Sequence, residues 1–310
     1  MFERVKLAYQ IYNFFHKKEL YHNELLYKKL GLKKKYYSSV SNKDFAGTDE
    51  SKIAFEYKRL SLDSIPLFEE FSEDTQMSIR DFDENGFCLL KSFWSKEQVD
   101  KVNTEIDRLT KDGTTDFKTN NRMMFAIHKS PFLNEICNNE QLDPILDYLI
   151  QGKSKLFQSI NFLNGSQQRT HSDSIHMTTF PQGGLLGVWI ALEDVDQGNG
   201  TIHYYPKSHK LPYFMNDEYG NEGNKWLLGD VGYGAYEDMI EKKIAEYKLQ
   251  KQIFNAKAGD MFIWHANLLH GGEAHTDKSR TRKSMVLHYF DTNRICYHEV
   301  TQRPALFRNH

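Results

Sequence analysis

The rhythm of apolar and polar positions changes along this chain. Over residues 1–20, MFERVKLAYQIYNFFHKKEL, the apolar side chains Val5, Ala8, Ile11, Tyr12 and Phe15 recur at helical spacing and predict an amphipathic helix. Residues 41–80 are polar and poorly periodic and read as a loose connection. A firmer pattern begins at residue 78. The turn Glu84-Asn85-Gly86 precedes Phe87, Leu89 and the stretch from Leu90 to Phe93, which suggest a short strand. Ser95 then fits an N-cap with Glu97 and Gln98 in the first turn, and Val99, Val102, Ile106 and Leu109 carry a helix. A second helix is expected over residues 142–149, ended by Gly152.

From Leu156 onward the period shortens. LFQSINFL, THSDSIHMTTF, GVWIALEDV, GTIHYYP, QIFNA, DMFIWHA and RKSMVLHYF are punctuated by Gly, Asn and Pro. Many short strands after a few helices predict a closed or double-sheet β core flanked by helices. Residues 211–250 interrupt the strands with a glycine- and aromatic-rich run and then a polar helix. Long loops in compact domains are usually functional, so this insertion is expected to act as a lid that chooses the substrate; a solvated excursion is the other reading. The expected organisation is therefore a basic helical extension and connector at 1–77 and a β domain at 78–310.

Charge separates the ends of the chain. The formal net charge is −2 over 310 residues, which gives a nucleic-acid role no support. Residues 1–40 instead hold nine Lys and Arg against three Glu. Two readings of the first helix follow: it packs on the domain with its lysines wet, the ordinary expectation, or it lies on an anionic membrane surface. Cys88, Cys137 and Cys296 are far apart and form no C-x-x-C pair, so a reducing, cytoplasmic setting is expected, without a disulfide framework or zinc site. No apolar run approaches the length of a transmembrane span, and the first residues lack the pattern of a signal peptide.

Candidate chemistry lies in the β half. His171 and Asp173 are one residue apart on an expected strand, so an imidazole and a carboxylate can face the same spot. The chain has a second His-x-Asp triplet, His275 and Asp277, but it falls in a polar turn where that geometry does not apply. His270 offers a further ligand, and two histidines with one carboxylate make the facial triad that holds Fe(II) and leaves positions open. His265 and His275 compete with His270, and Arg280 competes with Arg282 as a nearby cation.

In order, DENGFCLLKSFWSKEQVDKVNTEIDRL, THSD, WIALEDVDQGNGT, PKSHK, AGDMFIWHANLLHGG and RKSMVLHYF resemble the motifs of the phytanoyl-CoA dioxygenase family of Fe(II)- and 2-oxoglutarate-dependent oxygenases. The resemblance covers residues 78–290. It implies a double-stranded β-helix, a cupin-like jelly roll, with His171, Asp173 and His270 as iron ligands. It implies Arg282 as the clamp on the remote carboxylate of 2-oxoglutarate, with Trp189 beside the cosubstrate and Gln158 and Asn161 on a strand that contacts it. Gly272 stands where family members often have Ser, and Lys207 where the PGSHK motif has Gly. The carboxylate at Asp173 favours hydroxylation over halogenation. The expected activity is O2-dependent hydroxylation of a small or medium-sized organic substrate, an anionic or membrane-associated one being favoured by the basic N-terminus. The alternatives are a non-redox, cupin-like metal-binding module, or desaturation, epimerisation or ring formation by the same cofactors.

Overall fold

The computed structural model describes residues 4–53, 60–66, 68–117 and 121–307. Its helices are α1 (Lys6–Phe15), α2 (Tyr21–Leu30), α3 (Glu73–Arg80), α4 (Phe82–Asn85), α5 (Lys96–Lys111), α6 (Pro131–Cys137), α7 (Leu142–Ile150) and α8 (Tyr233–Glu246). The strands are β1 (Phe87–Leu90), β2 (Arg122–Met124), β3 (Ser154–Phe162), β4 (Thr178–Phe180), β5 (Leu185–Ala191) and β6 (Ile202–Tyr204), then β7 (Gln252–Phe254), β8 (Met261–His265), β9 (His270–Gly272), β10 (Ser284–Asp291), β11 (Ile295–His298) and β12 (Arg303–Pro304).

The main sheet has the order β1-β8-β5-β10-β3-β2, antiparallel throughout. Against it stand β7-β6-β9 and β12-β11-β4, which complete the jelly roll. The two-residue period of β5 explains the layering. Leu186, Val188 and Ile190 join Val99, Val102, Ile106, Leu109 and the apolar side of α7 in one core. Trp189 and Ala191 point the other way and pack with Ile202, Tyr204, Phe254 and Phe262 between the sheets. Burying each large apolar side chain contributes about 1.5–3 kcal/mol. The helix layer therefore stiffens the sheet whose inner face builds the site.

The α5 start follows the sequence: Ser95 Oγ accepts from Gln98 N at 3.2 Å, and Gln98 Oε1 accepts from Ser95 N at 2.9 Å, a full capping box. Elsewhere the structure corrects the pattern. The described residues of 41–80 are not loose: Phe45 stacks on Phe180 with ring centroids 4.2 Å apart, and Ile53, Ile65 and Phe68 are buried. The expected boundary at residue 77 falls inside α3. α7 ends at Gln151, in the left-handed region at φ 50°, one residue before Gly152. The stretch THSDSIHMTTF forms a strand only at β4. Among the described residues no helix is long and apolar enough to cross a membrane.

Candidate metal centre

His171 and His270 are joined backbone to backbone. His171 N donates to His270 O and His270 N to His171 O, both at 2.9 Å, so the two residues form one isolated antiparallel rung. Each ring is then oriented in the same way. His171 Nδ1 donates to the carbonyl of Arg169 at 2.9 Å, and His270 Nδ1 to that of Leu268 at 2.9 Å. A carbonyl only accepts, so both protons sit on Nδ1 and both Nε2 lone pairs are free for a ligand.

Asp173 opens a 3-10 turn (Asp173–Ile175) instead of continuing a strand. Ser172 between the two is extended, at φ −107° and ψ 149°, which keeps the side chains of 171 and 173 on one side. Asp173 Oδ1 lies 3.8 Å from His171 Nε2 and 3.9 Å from His270 Nε2. Its other oxygen, Oδ2, accepts from Trp264 Nε1 at 2.7 Å and faces His288 Nε2 at 3.5 Å. Gln158 Nε2 donates to His288 Nδ1 at 3.1 Å, which turns the His288 Nε2 proton toward the carboxylate.

These three buried residues bring one donor atom each within 4.8 Å of one another. First-row metal bonds to imidazole and carboxylate are roughly 2.0–2.2 Å, so small shifts let one ion reach all three. The protonation states fit as well. Burial, with His270 nearby, pushes the His171 imidazole well below its usual value, leaving it neutral. Burial alone would raise the Asp173 carboxyl, but the imidazoles of His270, His288 and His171 outweigh it and hold it well below the usual carboxylate range. Neutral imidazole and ionised carboxylate are the forms that coordinate metal.

Arg282 lines the same cavity and is 2% exposed. Its Nε donates to Gly200 O at 3.0 Å and its Nη1 to Ser284 Oγ at 2.9 Å, and Cζ lies 5.0 Å from the centroid of Trp189. Burial lowers its pKa to about 10, against the pull of Glu193, so it stays charged at neutral pH. Among the described residues it forms no ion pair with a carboxylate. A buried cation without a counterion is costly, and the cavity offers the place for one on a ligand. Arg280, by contrast, pairs with Asp196 at 2.9 Å near the surface.

β3 divides the two remaining expected cosubstrate residues. Ile160 and Phe162 line the cavity, and Gln158 shares their side, with its amide engaged on His288. Asn161 is an odd number of residues away and points with Met123 and Met285 toward the helix layer, off the cavity. Its amide has no hydrogen-bond partner among the described residues. His265 lies near His209, with ring centroids 5.4 Å apart, and His275 is held by the carbonyls of Asn164 and Asp277. His203 bonds Thr170 and pairs with Glu273.

Several groups at the site escape the sequence pattern. His288 had a signal: it lies on β10 an even number of residues after Arg282, which stands just before that strand, and both line the cavity. Trp264 had none, because its indole reaches Asp173 from a different strand. Arg122 and Gln168 line the cavity mouth, with Arg122 Nη2 donating to Gln168 Oε1 at 3.2 Å. Ser166 fills the room left at Gly272: a Cβ on Gly272 would sit 2.9 Å from Ser166 Oγ. From the insertion, Tyr236 Oη contacts Ser172 N at 3.3 Å, and Tyr233 Oη meets His176 Nε2 at 2.9 Å. α8 therefore rests directly on the segment that carries two of the ligands.

A His-Asp-His face and an unpaired buried arginine between the sheets of a jelly roll define a facial-triad metalloprotein with a site for an anionic ligand. The family model for phytanoyl-CoA dioxygenase matches residues 82–282. The chain belongs to the phytanoyl-CoA dioxygenase family of iron- and 2-oxoglutarate-dependent oxygenases. It is similar to phytanoyl-CoA dioxygenase 1 of Oryza sativa subsp. japonica, 23% identical over 267 residues, covering 70% of this chain and 89% of that protein. It is also similar to ectoine dioxygenase of Bordetella parapertussis, 23% identical over 213 residues, covering 63% of this chain and 69% of that one. Among solved structures, the non-heme alpha ketoglutarate dependent carbocyclase SnoK from nogalamycin biosynthesis superposes with a TM-score of 0.59 at 17% identity, covering 75% of this chain and 88% of that one. That likeness is one of fold.

Proposed function

We propose that the protein is an Fe(II)- and 2-oxoglutarate-dependent dioxygenase that hydroxylates a C–H bond of a small or medium-sized organic substrate, consuming O2 and releasing succinate and CO2. The observation that carries this reading is Arg282, a charged guanidinium without a carboxylate partner among the described residues, in the cavity of the triad. A module that only bound metal would have no use for it, whereas a dicarboxylate supplies its counterion. His171 Nε2, Asp173 Oδ1 and His270 Nε2 would hold the iron, which when loaded activates O2 for oxidative decarboxylation of the 2-oxo acid and attack on the substrate.

The protein's own residues bind and orient. Arg282 can take the remote carboxylate with its charge and its remaining donors, while the Trp189 ring lies beside the guanidinium, its centroid 5.0 Å from Cζ. The donors on Nδ1 of both histidines fix the rings, and Trp264 and His288 restrain the second oxygen of Asp173 so that Oδ1 is the one presented. No side chain needs to act as a general base in this scheme. The insertion at 211–250, through Tyr233 and Tyr236, would cover the site and exclude water. A cytoplasmic setting agrees with Cys88, Cys137 and Cys296, all buried and free. Arg122 at the mouth favours an anionic group on the substrate.

The test is an anaerobic titration of apoprotein with Fe(II) and 2-oxoglutarate, followed by the visible metal-to-ligand charge-transfer band, with His171→Ala and Arg282→Ala in parallel. A band absent in the first variant and weakened in the second supports the reading, and succinate release then scores candidate substrates. Stoichiometric iron binding without the band would overturn it in favour of a binding module.

A further inference from the structure

α1 is built inside out. At 100° per residue, Leu7, Ala8, Ile11, Tyr12, Phe14 and Phe15 share one arc, and Lys6, Tyr9, Gln10 and Asn13 share the other. The polar arc faces the protein: Asn13 is 2% exposed and its Nδ2 donates to Tyr37 O at 3.2 Å. The apolar arc faces water, with Leu7 and Ile11 each 52% exposed, Phe14 46% and Phe15 78%. α2 extends the patch with Tyr21 at 55% and Leu25 at 59%. A contiguous apolar surface of this kind marks an interaction site.

The charges beside it say what kind. Lys17, Lys18, Lys33 and Lys35 form no ion pair among the described residues, and Lys17 Nζ sits 3.6 Å above the Phe14 ring. A second copy of this chain would bring the same excess of lysine against itself, because a two-fold contact juxtaposes like surfaces. Anionic headgroups above an apolar layer satisfy both the lysines and the exposed rings. Trp226, 64% exposed, stands beside the first turn, its carbonyl accepting from Lys6 N at 3.0 Å, and indoles favour the bilayer interface.

We propose that α1, the start of α2 and Trp226 form a docking surface for an anionic lipid bilayer, with Leu7, Ile11, Phe14 and Phe15 entering the headgroup layer. The same surface is tied to the insertion over the metal centre. Val5 bridges Leu227, Leu228 N donates to Arg4 O at 2.9 Å, and Arg4 Nη2 donates to Leu228 O at 2.9 Å.

The experiment is sedimentation of the full chain with vesicles of phosphatidylcholine alone or mixed with phosphatidylserine. The expected result is co-sedimentation with the mixed vesicles only, weakened by salt. Charge reversal at Lys17→Glu with Lys18→Glu should lower binding about tenfold or more. Phe15→Asp should abolish it while leaving the melting temperature unchanged, since that ring is largely in water. Wild-type protein staying in the supernatant with both vesicle types overturns the proposal, as does a Phe15→Asp variant that binds like wild type. Absence of vesicle binding together with a concentration-dependent dimer, lost in Phe15→Asp, would assign the surface to self-association. Binding is read without turnover, so these outcomes are independent of the oxygenase reading.

Discussion

Trp264 Nε1 donates to Asp173 Oδ2 at 2.7 Å, so the carboxylate that completes the triad is braced by an indole from the neighbouring sheet. A Cβ at Gly187, opposite Trp264 on β5, would lie 2.3 Å from the indole, so the absence of a side chain there makes room for the brace.

Trp264→Phe removes the donor and keeps an aromatic ring. Partners of metal ligands are typically worth 10–100-fold in metal affinity, so Fe(II) affinity is expected to fall by about that factor. Anaerobic titration with a competing chelator measures it. Unchanged affinity would show that Asp173 is held without the indole.

Arg282→Gln removes the charge and keeps hydrogen-bonding capacity. Binding of 2-oxoglutarate is expected to weaken by about two orders of magnitude, a loss of roughly 3 kcal/mol in keeping with a charge-assisted pair. Fe(II) affinity should stay near that of the wild type. Arg280→Gln, at the surface, should leave both constants alone, and a reversed outcome would exchange the two arginines.

Ser166 is expected to supply the hydroxyl that the chain lacks at Gly272. Ser166→Ala should weaken 2-oxoglutarate binding by about 1 kcal/mol, the usual worth of one hydrogen bond. Gly272→Ser should be poorly tolerated beside Ser166 and should recover binding when combined with Ser166→Ala. The charge-transfer band reads all three variants.

Glu299 gives a pH dependence away from the metal. Burial raises its pKa to about 7, although Asn42 N donates to Oε2 at 2.9 Å. Its folded value exceeds the unfolded one, so its stabilising contribution is complete below about pH 4.5 and is lost as pH rises through about 7. The shift is equivalent to about 3 kcal/mol. Glu299→Gln should therefore melt like wild type at pH 4.5 and higher than wild type at pH 8. Equal melting temperatures at both pH values would show that the carboxyl is not strained by burial.

The fold was largely legible because its elements obey simple periods. The α5 stripe, its capping box and the alternation in β5 and β10 each place side chains by local geometry. The triad was legible for a different reason: ordered motifs identified its members, while the backbone expected between His171 and Asp173 was wrong and a single extended residue, Ser172, preserved their alignment. Trp264 and Ser166 were not legible, since each acts across a strand boundary on a residue distant in sequence. The resemblance placed Asn161 only on a strand, and a strand does not by itself show which of its sides faces the cavity; Asn161 lies on the side of Met123 and Met285. The orientation of α1 was hidden for a thermodynamic reason: an amphipathic pattern says that one arc differs from the other, and not which of them meets the protein.

The backbone rung between His171 and His270 bears on the choice of metal. Both nitrogen donors are fixed in position by folding, so an arriving ion has little ordering left to do. Such a seat favours ions by their intrinsic taste for nitrogen and oxygen, an order in which copper, nickel and zinc stand above ferrous iron. Donor type alone therefore does not turn these competitors away, so the supply of metal joins the geometry of the seat in deciding which ion it holds.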